Sequence, residues 1–264
     1  MTVDELDIRS ELPVKAIAYA GKVSREAAIQ VKVVQVTTLP PSGMPAVLQP
    51  RSAEIVIYVR QGLDLKSPVL ERAVVHELTR SRLLYARGYG LLEPTDSINE
   101  SEKQSLIVLG TMVDDIIINT IMQQEGYAPY DAIYMEEMAR EVRSANAGKD
   151  HYAQFSFDPL FKMRFMIFRY ILAWGTQQYL IVTPHESRRI TRFLQTFAKT
   201  YSETWQAALR VQNLFTTHDA FTAQGHKQIV EGILADWNLA RAATWVNYVN
   251  PSLTAKPPDA HDKG

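Results

Sequence analysis

The residues best suited to chemistry lie close together at His76, Glu77 and Arg80, within the stretch VVHELTRSRLL. A histidine ring nitrogen can bind a metal ion, and a glutamate beside that ion can take a proton from bound water. The residue four positions after His76 shares its helix face, so a second histidine there would complete a two-histidine metal site. Arg80 occupies that position. A guanidinium group has five donors and no acceptor, so Arg80 cannot be a metal ligand.

Two adjacent aspartates, Asp114 and Asp115, interrupt the apolar segment SLIVLGTMVDDIIINTIM. A buried carboxylate is costly unless it meets a cation, hydrogen-bond donors or a metal. Successive residues on a helix diverge by about 100°, so only one of the two can point at a given site. Asp115 shares a face with Asn119 and Met122, and we expect it to be the inward acid. Asp114 is the close alternative.

One strand and two helices are predicted to position these side chains. The segment EIVIYVR alternates in the manner of a strand over residues 54–60. A helix is predicted from Ser67 to about Arg87, because a serine cap is followed by proline at the first helical position. The aspartates belong to a second helix, predicted from near Ser101 to just before Gly126. We expect Val74, Val75 and Leu78 to be buried together with much of residues 106–122, including Leu109, Val113 and Ile116.

This order of elements, together with HELTR, resembles the zincin metallopeptidases, whose motif is HExxH on a helix just after an edge strand. In zincins both histidines of the motif bind zinc and the glutamate activates a zinc-bound water. In the glutamate-type members an acid on the following helix is the third ligand. The resemblance covers residues 54–127. It implies that His76 and Asp115 are zinc ligands if metal is bound, and that Glu77 is the general base if the site is active.

Arg80 departs from the family motif, and three functions remain open. The first is a zincin-like homologue with a degenerate, metal-free and inactive site and a peptide-binding or structural role. In that case Arg80 forms an ion pair with Asp115, Asp114 or Glu77 in place of the metal. The second is an active zinc metallopeptidase, a hydrolase with zinc as cofactor, whose second ligand comes from elsewhere. The third is a non-enzymatic helical interaction module unrelated to zincins. No cofactor is expected for the first and third functions.

A peptide or protein segment is the expected partner. If residues 54–60 form an edge strand beside the helix that carries His76, an extended peptide can add there by main-chain hydrogen bonds. The formal net charge of −1 creates no bulk attraction to nucleic acid or to an anionic membrane, so neither is expected as a partner.

Four other histidines are candidates for the missing ligand: His151, His185, His218 and His226. His218 and His226 flank Asp219 loosely in the manner of a metal cluster, although loop or helix-end positions are the favoured interpretation. A basic cluster, Arg188, Arg189 and Arg192, could contact phosphate or an acidic partner. A solvated helix face is the favoured interpretation there.

The chain lacks cysteine, which excludes disulfides and thiolate sites and fits a reducing compartment. The acidic N-terminus has no apolar signal-peptide region, and no uncharged apolar run approaches the ~18 residues that span a bilayer. We therefore expect a cytoplasmic protein. No phosphate-binding glycine loop, GxSxG elbow or dinucleotide fingerprint is present, which argues against NTPase, α/β-hydrolase and dehydrogenase functions.

The predicted fold class is α+β, with a small N-terminal sheet, a zincin-like helix pair and a mainly helical C-terminal part. Strands are expected within residues 14–62, among them VKAIAYAG, IQVKVVQVTT and EIVIYVR, with a proline- and glycine-rich loop at 39–52. Residues 1–12 are expected to be a loose acidic leader, and SANAGKDHYAQ to be an internal linker. Only helices are expected after residue 66, one of them over about 185–214. Residues 1–150 are expected to form the α+β part, and residues 151–250 a helical part packed on it. Residues 251–264 are expected to be a disordered tail.

Overall fold

A computed structural model describes residues 7–37, 39, 45–51, 53–130, 132–153 and 158–248 of the chain. The expected tail at 251–264 lies outside the described residues. The protein is mixed α+β, with a three-stranded N-terminal sheet and a mainly helical C-terminal part, which confirms the predicted fold class.

The chain forms two compact units. Unit 1 comprises residues 1–89 and 247–264, and unit 2 comprises residues 90–246. This division falls well before residue 150, where the polar segment SANAGKDHYAQ predicted a linker. Within that segment the helix Ala132–Asn146 ends and the side chain of Tyr152 is 1% exposed, so its described part is packed against unit 2. The division at residue 150 stays a prediction.

Unit 1 consists of a three-stranded sheet and two helices. In chain order these are α1 (Val14–Ala27), β1 (Gln30–Val36), β2 (Ala46–Pro50), β3 (Glu54–Arg60) and α2 (Pro68–Ala86). β3 is the central strand, parallel to β1 and antiparallel to β2. A short 3-10 turn at Arg9–Glu11 precedes α1.

The prediction of a strand at VKAIAYAG is wrong, because this segment belongs to α1. Its buried residues recur at helical rather than alternating spacing, at Ala16, Tyr19, Ala20, Val23 and Ala27. Alanine is also the strongest helix former, and the three alanines in this segment outweigh its two β-branched residues.

The predictions of an edge strand at 54–60 and of a continuous loop at 39–52 are also wrong. β2 lies inside the predicted loop and occupies the sheet edge next to β3. Both sides of β3 are therefore paired, so an extended peptide cannot add to that strand. Local sequence favoured a loop because the prolines and glycine around β2 are turn residues, whereas the strand depends on long-range pairing with β3.

α2 matches its prediction closely. The Ser67 side chain accepts a hydrogen bond from the amide of Leu70 at 3.2 Å, with Pro68 at the first helical position. The chain leaves the helix through Gly88, whose φ of +74° is a left-handed conformation that glycine adopts without strain. Val74, Val75 and Leu78 are completely buried, as predicted.

Unit 2 is mainly helical. In chain order its elements are β4 (Gly90–Pro94), α3 (Glu100–Gln124), α4 (Ala132–Asn146), α5 (Pro159–Tyr179), α6 (Pro184–Thr200), α7 (Ser202–Thr217), α8 (Ala223–Asp236) and β5 (Ala243–Asn247). β4 pairs with β5, so the prediction of only helices after residue 66 is wrong. The long helix predicted over 185–214 is divided at Tyr201 into α6 and α7.

α3 forms the apolar centre of unit 2. It begins with a capping box in which Asn99 and Glu102 satisfy each other's main-chain amides. Leu109, Val113 and Ile116 are buried, as predicted. By length and composition α3 is apolar enough to cross a membrane, but 72% of its most apolar window is buried inside the protein. The core helices of soluble proteins share this property.

Candidate functional site

The carboxylate of Glu77 joins helix α2 to the edge strand β2. Glu77 Oε2 accepts a hydrogen bond from the Leu48 amide at 3.1 Å, and Oε1 lies 3.3 Å from His76 Nδ1. About two turns further along α2, the Tyr85 hydroxyl accepts a hydrogen bond from the Arg51 amide at 2.8 Å and donates one to the Arg51 carbonyl at 2.9 Å. Two side chains of α2 thus satisfy main-chain groups in and just after β2, which would otherwise form an open edge.

Glu77 is held in its ionised form. Burial opposes ionisation, but the hydrogen bond with His76, the charge of Arg80 and the Leu48 amide together lower the pKa of Glu77 below its ordinary value of 4.5. An ionised carboxylate can only accept hydrogen bonds, so His76 Nδ1 must carry the proton in this contact. Both oxygens of Glu77 are therefore committed to protein donors, and the residue is 5% exposed.

Arg80 is half-buried and electrostatically coupled to Glu77, because its positive charge lowers the pKa of that carboxyl. The expectation that Arg80 replaces a metal by pairing with Glu77 stays a prediction. The expected ion pair between Arg80 and Asp114 or Asp115 stays a prediction, because these acids belong to unit 2 and Arg80 to unit 1.

The donors around His76 do not fit a zinc site. A protein zinc site needs at least three ligands, which histidine, cysteine, aspartate or glutamate normally supply. Within the described part of the chain, no three such side chains are grouped closely enough to hold one ion. Around this site the described residues of unit 1 instead offer His76, a carboxylate bound to Leu48, and an arginine that has no lone pair to donate.

The opposite edge of the same sheet is also covered, at β1. The Ile8 amide donates to the Val33 carbonyl at 2.8 Å, and Asp7 Oδ1 accepts from the Val33 amide at 3.2 Å. Arg9 Nη1 donates to the Val31 carbonyl at 3.0 Å. The described part of the acidic N-terminal segment, residues 7–12, is therefore not the loose leader that was expected, and it protects this strand from further pairing.

In unit 2, Asp114 meets a hydrogen-bond partner of opposite potential charge, and the expectation that Asp115 is the inward acid stays a prediction. Asp114 Oδ1 lies 3.0 Å from Nε2 of His226, and the two side chains are 14% and 3% exposed. Trp245 packs edge-on against the imidazole, with ring centroids 5.9 Å apart. Asp115 is half-buried, and its negative charge adds to burial in raising the pKa of Tyr134 to about 12.

His226 lies in the first turn of α8, in agreement with the helix-end interpretation, but its side chain is buried in unit 2. The pair was not predicted from the sequence, although one feature of α8 points to burial of His226. The apolar face of α8 has helical spacing that begins with His226 and continues through Ile229, Val230 and Ile233. The other three histidines are not drawn into a cluster with it. His218 ends α7, His151 lies in a turn against Tyr152, and His185 is exposed on the first turn of α6.

A second buried polar network of unit 2, formed by Glu141, Tyr152 and Arg169, was also not predicted from the sequence. Arg169 donates through Nε and Nη2 to Glu141 Oε1 at 2.9 and 2.6 Å, and the Tyr152 hydroxyl donates to the same carboxylate. The guanidinium of Arg169 also lies 5.8 Å from the centre of the Tyr134 ring. This network links α4 to α5 across the core, where neither charge could be buried alone.

Comparison with protein-family models, with curated proteins and with solved structures finds no match to this chain. The protein is therefore described from the geometry of its own residues. It is a two-unit α+β protein whose candidate site is a histidine–glutamate pair on a helix that covers a sheet edge.

Proposed function

We propose that this protein is a zincin-like metallopeptidase homologue without peptidase activity, in which the HELTR site is a metal-free structural brace. The observation that carries the proposal is the contact of the buried Glu77 carboxylate with both the Leu48 amide and His76. A general base must reach the proton of a water molecule and hold a pKa near the working pH. Glu77 has a lowered pKa, and both of its oxygens have protein donors.

The chemistry of Arg80 supports the same proposal. In a zincin the position four residues after the first histidine supplies a metal ligand, and here it supplies a permanent cation. That cation stabilises the ionised form of Glu77, as a bound metal would in an active enzyme. The protein then acts in the cytoplasm through binding of a peptide or protein segment, or as a structural component, with no cofactor.

A non-enzymatic interaction module unrelated to zincins is the second candidate, and the position of β3 favours it. Zincins carry their motif on a helix that follows an edge strand, whereas β3, the strand before α2, is central in its sheet. An active zinc peptidase would require Glu77 to exchange its contact with Leu48 for a water, and a second metal ligand from another segment.

Peptidase assays of the full chain test the proposal. Hydrolysis of a fluorogenic peptide library is measured with added zinc, and again with the Glu77→Gln variant. This variant is suitable because the amide oxygen of glutamine still accepts from the Leu48 amide, so the fold is retained. We expect the parent and the Glu77→Gln variant to show the same background rate, with no hydrolysis that depends on Glu77. Zinc-dependent hydrolysis that the substitution abolishes would establish the peptidase instead.

A further inference from the structure

One face of α6 in unit 2 forms a basic stripe, defined here as His185, Arg188, Arg192 and Lys199. These residues follow one another at intervals of three, four and seven positions, so they share one face of the helix. All four are exposed. Among the residues that the structure describes, Arg188, Arg192 and Lys199 have no ion-pair partner.

The opposite face of α6 fixes the orientation of this stripe. Ile190, Phe193 and Phe197 are 0%, 3% and 2% exposed, so the helix is anchored by its apolar side. Its N-terminus is held by a capping box between Thr183 and Glu186, and Glu186 also accepts a hydrogen bond from the Tyr130 hydroxyl at 3.0 Å. The one acid in the first turn is thus used internally, and the basic side chains stay toward solvent.

An exposed isoleucine stands at the start of the stripe. Ile181, two residues before the cap of α6, is 86% exposed. Its amide donates to Gln123 Oε1 at 2.7 Å, and its carbonyl accepts from Gln123 Nε2 at 2.8 Å. This two-point contact fixes the main chain so that the apolar side chain remains in solvent. Single exposed apolar residues are common, but one whose main chain is bound on both sides and which directly precedes a helix with exposed cations has the properties of a binding anchor.

We propose that Ile181 and the basic stripe form a docking surface for an acidic protein segment that carries an apolar residue near one end. Charge complementarity requires an anionic partner, and Ile181 requires an apolar group on it. From Arg188 to Lys199 the stripe extends about 16 Å at about 1.5 Å per residue, which suits about three turns of a partner helix. The surface lies in unit 2 and does not depend on the proposed role of the HELTR site.

Two other anionic partners fit the surface less well. Single-stranded nucleic acid is normally bound by exposed aromatic side chains between the cations, whereas Phe193 and Phe197 of α6 are buried. A helix that lies in a membrane surface places its apolar face in the lipid, whereas the apolar face of α6 is directed into the protein. A protein segment needs neither exposed aromatics nor an inserted face.

Fluorescence anisotropy of labelled probes with the full chain tests this proposal. The main probe is a synthetic glutamate-rich helical peptide with one leucine near its end. We expect saturable binding that weakens with salt. The double variant Arg188→Gln/Arg192→Gln should bind about three- to tenfold more weakly, because two exposed ion pairs are lost. The matched control, Lys103→Gln/Lys149→Gln, removes the same charge from exposed lysines elsewhere in unit 2 and should bind like the parent.

The role of Ile181 is tested by a double-mutant cycle with the probe. Ile181→Ser should weaken binding of the leucine peptide by about tenfold and leave binding of its leucine-to-serine counterpart unchanged. Circular dichroism establishes that each variant is folded. The proposal is overturned if both double variants weaken binding equally or if no saturable binding occurs. It is also overturned if a single-stranded oligonucleotide or phosphatidylserine vesicles bind the stripe more tightly than the peptide.

Discussion

Substitution of Glu77 by alanine should destabilise unit 1. It leaves the buried Leu48 amide without its acceptor and removes the negative charge next to His76 and Arg80. An unsatisfied buried donor costs about 1–3 kcal/mol, and loss of one partner from a buried charged pair costs about 3–5 kcal/mol. Because Arg80 and His76 are half-buried, we expect about 3 kcal/mol for Glu77→Ala. Glu77→Gln retains an acceptor for the amide and should cost only about 1 kcal/mol.

The same contact predicts a pH dependence. The pKa of Glu77 in the folded protein is lowered below its ordinary value of 4.5, so ionised Glu77 stabilises the folded state. That contribution is fully present above the unfolded pKa and is lost as the pH falls through the folded pKa. The difference in unfolding free energy between the parent and Glu77→Gln should therefore be constant at neutral pH and shrink below pH 4.5.

The assay must follow unit 1 specifically. All four tryptophans lie in unit 2, so their fluorescence does not report on the three-stranded sheet of unit 1. They are Trp174, Trp205, Trp237 and Trp245. Hydrogen exchange measured on peptides that span residues 46–50 reports on β2. Denaturation followed by circular dichroism gives the stability of the chain. We expect faster exchange in β2 for Glu77→Ala and near-parental exchange for Glu77→Gln. If Glu77→Ala were as stable as the parent, with unchanged protection of β2, the brace would be refuted. An increase in the stability of Glu77→Ala would instead indicate that Glu77 is retained for activity, because substitutions at catalytic residues often stabilise the fold.

Two further predictions concern unit 2, where tryptophan fluorescence in denaturant is a suitable measurement. Arg169→Met leaves Glu141 buried without its cation and should lower the unfolding free energy by about 3–5 kcal/mol. Adding Glu141→Leu should recover much of that loss, and no recovery would contradict the pairing. In Gly225→Ala the new Cβ would lie 2.0 Å from the main-chain oxygen of Asp219, so we expect a loss of about 2 kcal/mol or more. Gly110→Ala has nothing within 4 Å of the new Cβ and should be neutral or stabilising; equal effects at the two glycines would refute the steric argument.

The parts of the fold that local chemistry defines were predictable from the sequence. α2 follows from the serine and proline at its start and the glycine after its end, and α3 from its continuous apolar sequence. α1 was misassigned because its alanines pack at helical spacing while its few β-branched residues suggest a strand. β2 was missed because its pairing partner β3 determines it, and its own prolines favour a loop.

The residues of the candidate site could be chosen from the sequence, but their contacts could not. The adjacency of His76 and Glu77 and the position of Arg80 are visible in the sequence, whereas the contact of Glu77 with Leu48 requires the placement of β2 against α2. Asp114 and His226 are separated by 112 residues, so nothing local connects them. Both contacts arise from tertiary packing that sequence periodicity does not encode.

Zinc content tests the central claim most directly. The full chain and its Arg80→His variant are equilibrated with zinc, dialysed, and measured by inductively coupled plasma mass spectrometry. We predict no stoichiometric zinc in the parent. If the site keeps the geometry of a zincin, Arg80→His restores HExxH and takes up zinc, and that zinc is lost when His76→Ala is added. Stoichiometric zinc in the parent that His76→Ala removes would contradict the metal-free brace and favour an active peptidase. Failure of both proteins to bind zinc would contradict the zincin resemblance and favour the unrelated interaction module.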